Sequence, residues 1–167
     1  MDRTLTSVEV VGMAIRSEED AAKFYGHISR MIENDLVRVK YEQLAKEEAG
    51  HRKMLVALYK EMTGTEESPE RIPGEPETAE GGAIPDDIAD SLEGLLRLAV
   101  KREKNAHEFY RKAAEKAKDL SGRRILEYLA DVEKGHQAML EKEVEAYHRD
   151  KEWYRGQQYP AMTHVGA

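Results

Sequence analysis

The 167-residue chain has no cysteine, which excludes disulfides, thiolate metal sites and thiol nucleophiles. Glycine plus proline is low, at 12 and 5 residues, while charged residues reach 35 %, so a helical, well-solvated protein of single-domain size is expected. No stretch approaches the roughly 18 consecutive apolar residues that a membrane span requires. The opening MDRTLTSVEVVG lacks a basic segment followed by an apolar one, so no signal peptide is expected and the protein is placed in the cytoplasm. Positive charge is also in deficit. With 26 Lys and Arg against 33 Asp and Glu, the net charge of −7 argues against nucleic acid or an anionic membrane as partner. There is no phosphate-cradling glycine loop, no Ser/His/Asp arrangement and no basic–aromatic patch.

What the chain does have is helical periodicity, in four long segments. The first carries Val11, Ile15, Glu18, Ala21, Tyr25, Ile28 and Ile32 on one stripe, with Thr6 and Glu9 placed to form a capping box. The second runs from about Leu36 to Met62, with Tyr41, Leu44, Glu48, His51, Leu55 and Leu58 on its stripe and a stop at Thr63-Gly64. The third starts near Asp86 and carries Leu92, Leu96, Ala99, Glu103, Ala106 and Tyr110. The fourth starts near Ser121 and carries Leu126, Leu129, Glu133, His136, Leu140 and Tyr147. Each stripe is the inner face of a helix in an all-α, antiparallel four-helix bundle.

Residues 63–85, rich in Gly, Pro and Glu, show no periodicity. If the second and third helices run parallel, this link crosses the length of the bundle, roughly 40 Å, which about 20 extended residues can span. The expected organisation is a bundle over 1–148, made of a hairpin at about 7–62, the crossover 63–85 and a second hairpin at about 86–148. Residues 149–167 form a tail, read either as a short helix docked on the bundle or as a dimer contact, with disorder beyond about Tyr159 equally allowed.

A shift of 85 residues superimposes 14–62 on 99–147 without a gap, giving 14 identities in 49 positions. A repeat kept only for packing would preserve apolar pattern and leave polar identity free. Instead Glu18, Glu48 and His51 match Glu103, Glu133 and His136 in type and register. Four inward carboxylates in an apolar interior carry a heavy desolvation cost unless neutralised, and no Lys or Arg occupies the stripes at their level. Two divalent cations supply the missing charge. The i, i+3 spacing of each Glu–His pair aims both groups at one metal. Oxygen and imidazole donors suit iron or manganese, and zinc is also compatible. Glu48 and Glu133 are the natural bridging ligands, with Glu18 and Glu103 terminal and one His for each metal.

Tyr25 and Tyr110 lie two turns beyond Glu18 and Glu103, placed for their hydroxyls to support a ligand carboxylate from the opposite half. Gly50 and Gly135 sit in mid-helix, where glycine costs about 1 kcal/mol relative to alanine, which suggests close helix packing or access to the site. His107 lies one turn from Glu103 and is read as a partly exposed histidine. His27, His148 and His164 have no ligand spacing and are assigned to the surface.

AIRSEEDAAKFY and AVKREKNAHEFY, with LAKEEAGH and LADVEKGH, resemble the rubrerythrin branch of the ferritin-like superfamily over roughly residues 8–148. The resemblance implies a ferritin-like bundle holding two iron ions, which reacts with hydrogen peroxide or dioxygen and assembles as a homodimer or larger oligomer. The chain departs from that pattern in two ways. It lacks the cysteine-ligated rubredoxin iron site of full-length rubrerythrins, so an external electron donor such as a rubredoxin-like protein is implied. It also has Ala106 where the family carries an additional carboxylate, which implies a symmetric six-ligand site. The leading expectation is a di-iron oxidoreductase. The alternatives are a ferroxidase or iron-storage protein using the same centre, and a bundle whose metals serve structure alone.

Overall fold

The computed structural model describes residues 6–67 and 84–156. Four long helices, α1 (Ser7–Arg30), α2 (Asp35–Thr63), α3 (Leu92–Lys116) and α4 (Leu120–Arg149), are followed by the short α5 (Lys151–Arg155). The described residues contain no strand. Each long helix begins on a side chain that satisfies otherwise orphaned backbone donors. Thr6 and Glu9 form a reciprocal capping box on α1, Asn34 accepts from Leu36, Ser91 from Gly94 and Asp119 from Gly122. Caps of this kind contribute about 1 kcal/mol each. Thr6 and Ser91, like Asn34 and Asp119, stand 85 residues apart. The repeat therefore fixes where the helices start as well as what they bury.

The third helix starts later than the expected Asp86. Residues 86–90 form a turn, held by backbone bonds from Ile88 N to Pro85 O and from Ser91 N to Ile88 O. Ile88 folds back over the first turn of α3, so closely that a Cβ on Gly94 would come within 2.8 Å of the Ile88 Cβ. The Ser91 cap, not the proline, sets the boundary.

Two apolar clusters divide the core along the bundle axis. One joins Val11, Ile15, Leu55, Leu58, Ala106, Tyr110 and Leu126. The other joins Ala21, Ile28, Val37, Tyr41, Leu92, Leu96, Leu140 and Tyr147. The start of α1, the end of α2, the end of α3 and the start of α4 thus share one end of the bundle. The end of α2 and the start of α3 lie at opposite ends, as a long crossover requires; residues 68–83 of that link are outside the described residues. Between the clusters lies a polar layer containing Glu18, Glu48, His51, Glu103, Glu133 and His136.

The tail turns into α5 and docks on the bundle. Tyr154 is fully buried. Its hydroxyl is 2.6 Å from that of Tyr41 and donates to Glu143 Oε2 at 3.0 Å, while Lys40 donates to Glu143 Oε1 at 2.6 Å. Burial pushes both phenols well above the ordinary tyrosine range. Asn34 donates to the Trp153 carbonyl, and Glu33 N to that of Arg155. Gly156 follows at φ +93°, where a Cβ would meet Asn34 N at 2.5 Å. Only glycine permits this close approach. Residues 157–167, including His164 and the stretch read as allowing disorder, lie outside the described residues. Among the described residues, no helix is long and apolar enough to cross a membrane.

Candidate metal centre

Glu18 (α1), Glu48 and His51 (α2), Glu103 (α3), and Glu133 and His136 (α4) converge between the apolar clusters. The four carboxylates are no more than 1 % exposed, and the imidazoles are 6 % and 7 % exposed. Because 3.6 residues make one turn, each Glu–His pair at i, i+3 points the same way from its helix. His51 Nδ1 lies 3.0 Å from Glu48 Oε2, and His136 Nδ1 lies 3.2 Å from Glu133 Oε2. The two rings stack with centroids 5.9 Å apart.

The donor atoms form two overlapping bowls. One comprises Glu18, Glu48, His51 and Glu133, the other Glu48, Glu103, Glu133 and His136, and the atoms of each lie within 4.8 Å of one another. Only Glu48 and Glu133 belong to both. Each carboxylate leaves one oxygen buried without a hydrogen-bond partner: Glu18 Oε2, Glu48 Oε1, Glu103 Oε2 and Glu133 Oε1. Glu18 Oε2 and Glu133 Oε1 lie 3.5 and 3.3 Å from His51 Nδ1. Glu48 Oε1 and Glu103 Oε2 lie 3.1 and 3.7 Å from His136 Nδ1. These approaches are close enough for charge attraction but lack hydrogen-bond alignment. Unsatisfied buried acceptors are expensive, and a cation in each bowl would satisfy them. The residues fit a pair of metal ions.

Two tyrosines fasten the carboxylates across the hairpins. Tyr25 on α1 donates to Glu103 Oε1, and Tyr110 on α3 donates to Glu18 Oε1. Phe24 and Phe109 pack edge-on against these rings, each at 5.4 Å between centroids. The hydroxyls occupy the outer oxygens of Glu18 and Glu103, leaving the orphaned ones inward.

The electrostatics follow from burial. Desolvation drives the Glu18 and Glu103 carboxyls well above the usual range, and the charges of Glu48 and Glu133 add to the effect. Burial acts likewise on Glu48 and Glu133, but their close contacts with the His136 and His51 rings outweigh it and hold both low. For His51 burial favours the neutral ring, yet its Glu133, Glu18 and Glu48 contacts prevail and push it up to about 12. His136 is raised in the same way.

Several residues were not legible as part of this layer. Glu47 Oε2 lies 2.9 Å from His136 Nε2, on the outward side of the ring. Arg102 is buried one position from Glu103, its guanidinium 4.4 Å from the centre of the Phe24 ring. Arg102 lies beside the α3 stripe and belongs to neither bowl. His107 is half-buried and bonds the Ala130 carbonyl through Nδ1 at 2.7 Å, outside the cluster. His27 is likewise half-buried, against the Ala89 carbonyl, and His148 is exposed beside Arg97.

Gly50 and Gly135 do not mediate close helix packing, since a Cβ on either would meet nothing within 4 Å. Both lie beside the histidines, the least covered members of the cluster. Gly135→Ala is therefore expected to stabilise the fold by about 0.5–1 kcal/mol, the ordinary helix-interior gain. A rise in the chemical-denaturation midpoint at unchanged m-value would register it; a fall would mean that the open space serves the fold.

Two Glu plus two Glu-x-x-His pairs on four helices, all projecting inward, define a carboxylate–histidine helical bundle able to hold metal. The Rubrerythrin family model matches residues 9–144. The chain belongs to the rubrerythrin family. It is also similar to the solved structure of a hypothetical protein from Pyrococcus furiosus, with 33 % identity over 87 % of this chain and 92 % of that one, at a TM-score of 0.72. No curated protein matches.

Proposed function

We propose that the protein is a non-haem di-iron oxidoreductase of rubrerythrin type, which reduces hydrogen peroxide or dioxygen with electrons from an external donor. The observation that carries this reading is the pair of overlapping bowls with one orphaned oxygen from each carboxylate. A set of four carboxylates and two imidazoles suits iron, with manganese and zinc as competitors. When bound, the metals supply the redox chemistry, cycling between ferrous and ferric charge.

The chain's own residues supply position and protection. Tyr25 and Tyr110 hold Glu103 and Glu18 by their outer oxygens, fixing both across the hairpin boundary. Glu48 and Glu133 face both bowls, and each histidine turns Nδ1 inward. The apolar clusters above and below keep water from entering along the bundle axis. The histidine edges are the least covered part of the cluster, at 6 % and 7 % exposure. We assign the reductant to an external donor, such as a rubredoxin-like protein, and place the enzyme in a homodimer or larger assembly.

Anaerobic protein loaded with two ferrous ions per chain tests this reading. Repeated, stoichiometric peroxide consumption with an added reductant is the expected result. Continued iron uptake far beyond two per chain, in a shell-sized assembly, would move the primary role to storage.

A further inference from the structure

We propose that Glu47 is a positioning residue that makes the two metal positions unequal, so that the bowl containing His136 takes up the first divalent cation. The inference rests on the reading of the cluster as a di-metal centre. His136 turns Nδ1 towards Glu48, Glu103 and Glu133, and its other nitrogen, Nε2, meets Glu47 Oε2 at 2.9 Å. A carboxylate behind a ligating imidazole places the ring proton on the outer nitrogen, fixes the ring plane and strengthens the inner nitrogen as a donor. Glu47 is itself oriented, because Gln43 donates to its Oε1 at 3.0 Å. The relay Gln43–Glu47–His136 thus runs from the half-exposed surface of α2 across to α4.

The other half has no equivalent. The repeat exchanges α2 with α4, so the position matching Glu47 is Val132 and the position matching Gln43 is Tyr128. Valine offers no acceptor. Among the described residues the polar contacts of His51 all run through Nδ1, and no carboxylate lies against its Nε2. Within a cage whose six inward residues are matched pairwise, this is a polar asymmetry directly behind a ligand position. Glu47 is 41 % exposed and packs into neither apolar cluster, so its contribution is to the ring and not to the core.

Zinc is a suitable probe, since it is redox-silent and diamagnetic. Chelated full-length protein is titrated calorimetrically at fixed pH, and nitrogen-15 spectra of the histidines identify the ring that responds first. Wild type is expected to bind in two steps, with His136 Nδ1 shifting before His51 Nδ1. Glu47→Ala should weaken the first step by about 10- to 100-fold, the usual effect of removing such a partner, and bring the two steps together. Val132→Glu, which recreates the acceptor in the other half, should tighten the second step and leave the first unchanged. A merely structural residue would not move the two steps in this selective way. Equal steps in wild type, or an unaltered separation in Glu47→Ala, would overturn the inference while leaving the di-metal reading intact. Failure of wild type to bind zinc would remove both.

Discussion

Replacing Glu48 and Glu133 together by alanine is expected to reduce bound metal from two ions per chain to none. The two residues are the only ones shared by both bowls, so their removal takes two donors from each position at once. What remains is one glutamate and one histidine per metal, too few to displace the water of a divalent cation. Single terminal changes make the internal control. Glu18→Ala strips a donor from the His51 bowl alone, and Glu103→Ala from the His136 bowl alone, so each should lose one ion and retain the other. Elemental analysis of protein reconstituted with excess ferrous iron reads the result directly. Two ions retained in the double variant would refute the cage.

A second large effect concerns acidity. Glu18, Glu103, His51 and His136 all hold protons more tightly in the folded protein than in an unfolded chain. Their contribution to stability is complete below the unfolded values and is lost as pH rises towards the folded ones. For the glutamates the loss begins just above the ordinary carboxylate value of 4.5; for His51 it runs from 6.5 towards about 12. Glu48 and Glu133 have the opposite sign: lowered in the fold, they stabilise above 4.5 and lose that contribution as pH falls. Chelated protein should therefore be most stable near the crossing of these trends, around pH 5. It should then weaken towards pH 8, by up to about 1.4 kcal/mol per pH unit for each proton retained by the fold alone. Cations compete with those protons, so metal binding releases them and tightens as pH rises. At a free metal concentration 1,000 times Kd, each site adds about 4 kcal/mol. The melting-temperature gap between loaded and chelated protein should accordingly widen from pH 5 to pH 8. A gap that is constant over this range would mean that the buried histidines and carboxyls are not the groups displaced.

Much of this architecture is legible in the sequence because duplication repeats polar identity as well as apolar pattern. Glu18 and Glu103 stand out since nothing about packing asks for the same acid in the same register. Even the start of α3 is encoded, for Ser91 is the repeat partner of Thr6; the proline and acidic run before it are simply a stronger local signal for a helix start. What resists reading is whatever depends on an unrepeated tertiary neighbour. Glu47 sits beside the inward stripe, and its role exists only because His136 approaches from another helix. Tyr154 looks like any aromatic in a polar tail until Tyr41 and Glu143 are placed around it. Gly50 and Gly135 share a position in the repeat, yet only coordinates reveal that the space beside them is open.

The two hairpins open at opposite ends of the bundle, and every bowl draws residues from both. Neither half can build a metal position alone, so the centre is in effect the interface of a dimer whose partners are joined in one polypeptide. The covalent link raises the concentration at which one half meets the other to the millimolar range typical of tethered modules. Severing the chain between the hairpins would leave every donor in place and yet make assembly of the centre a second-order reaction, dependent on protein concentration.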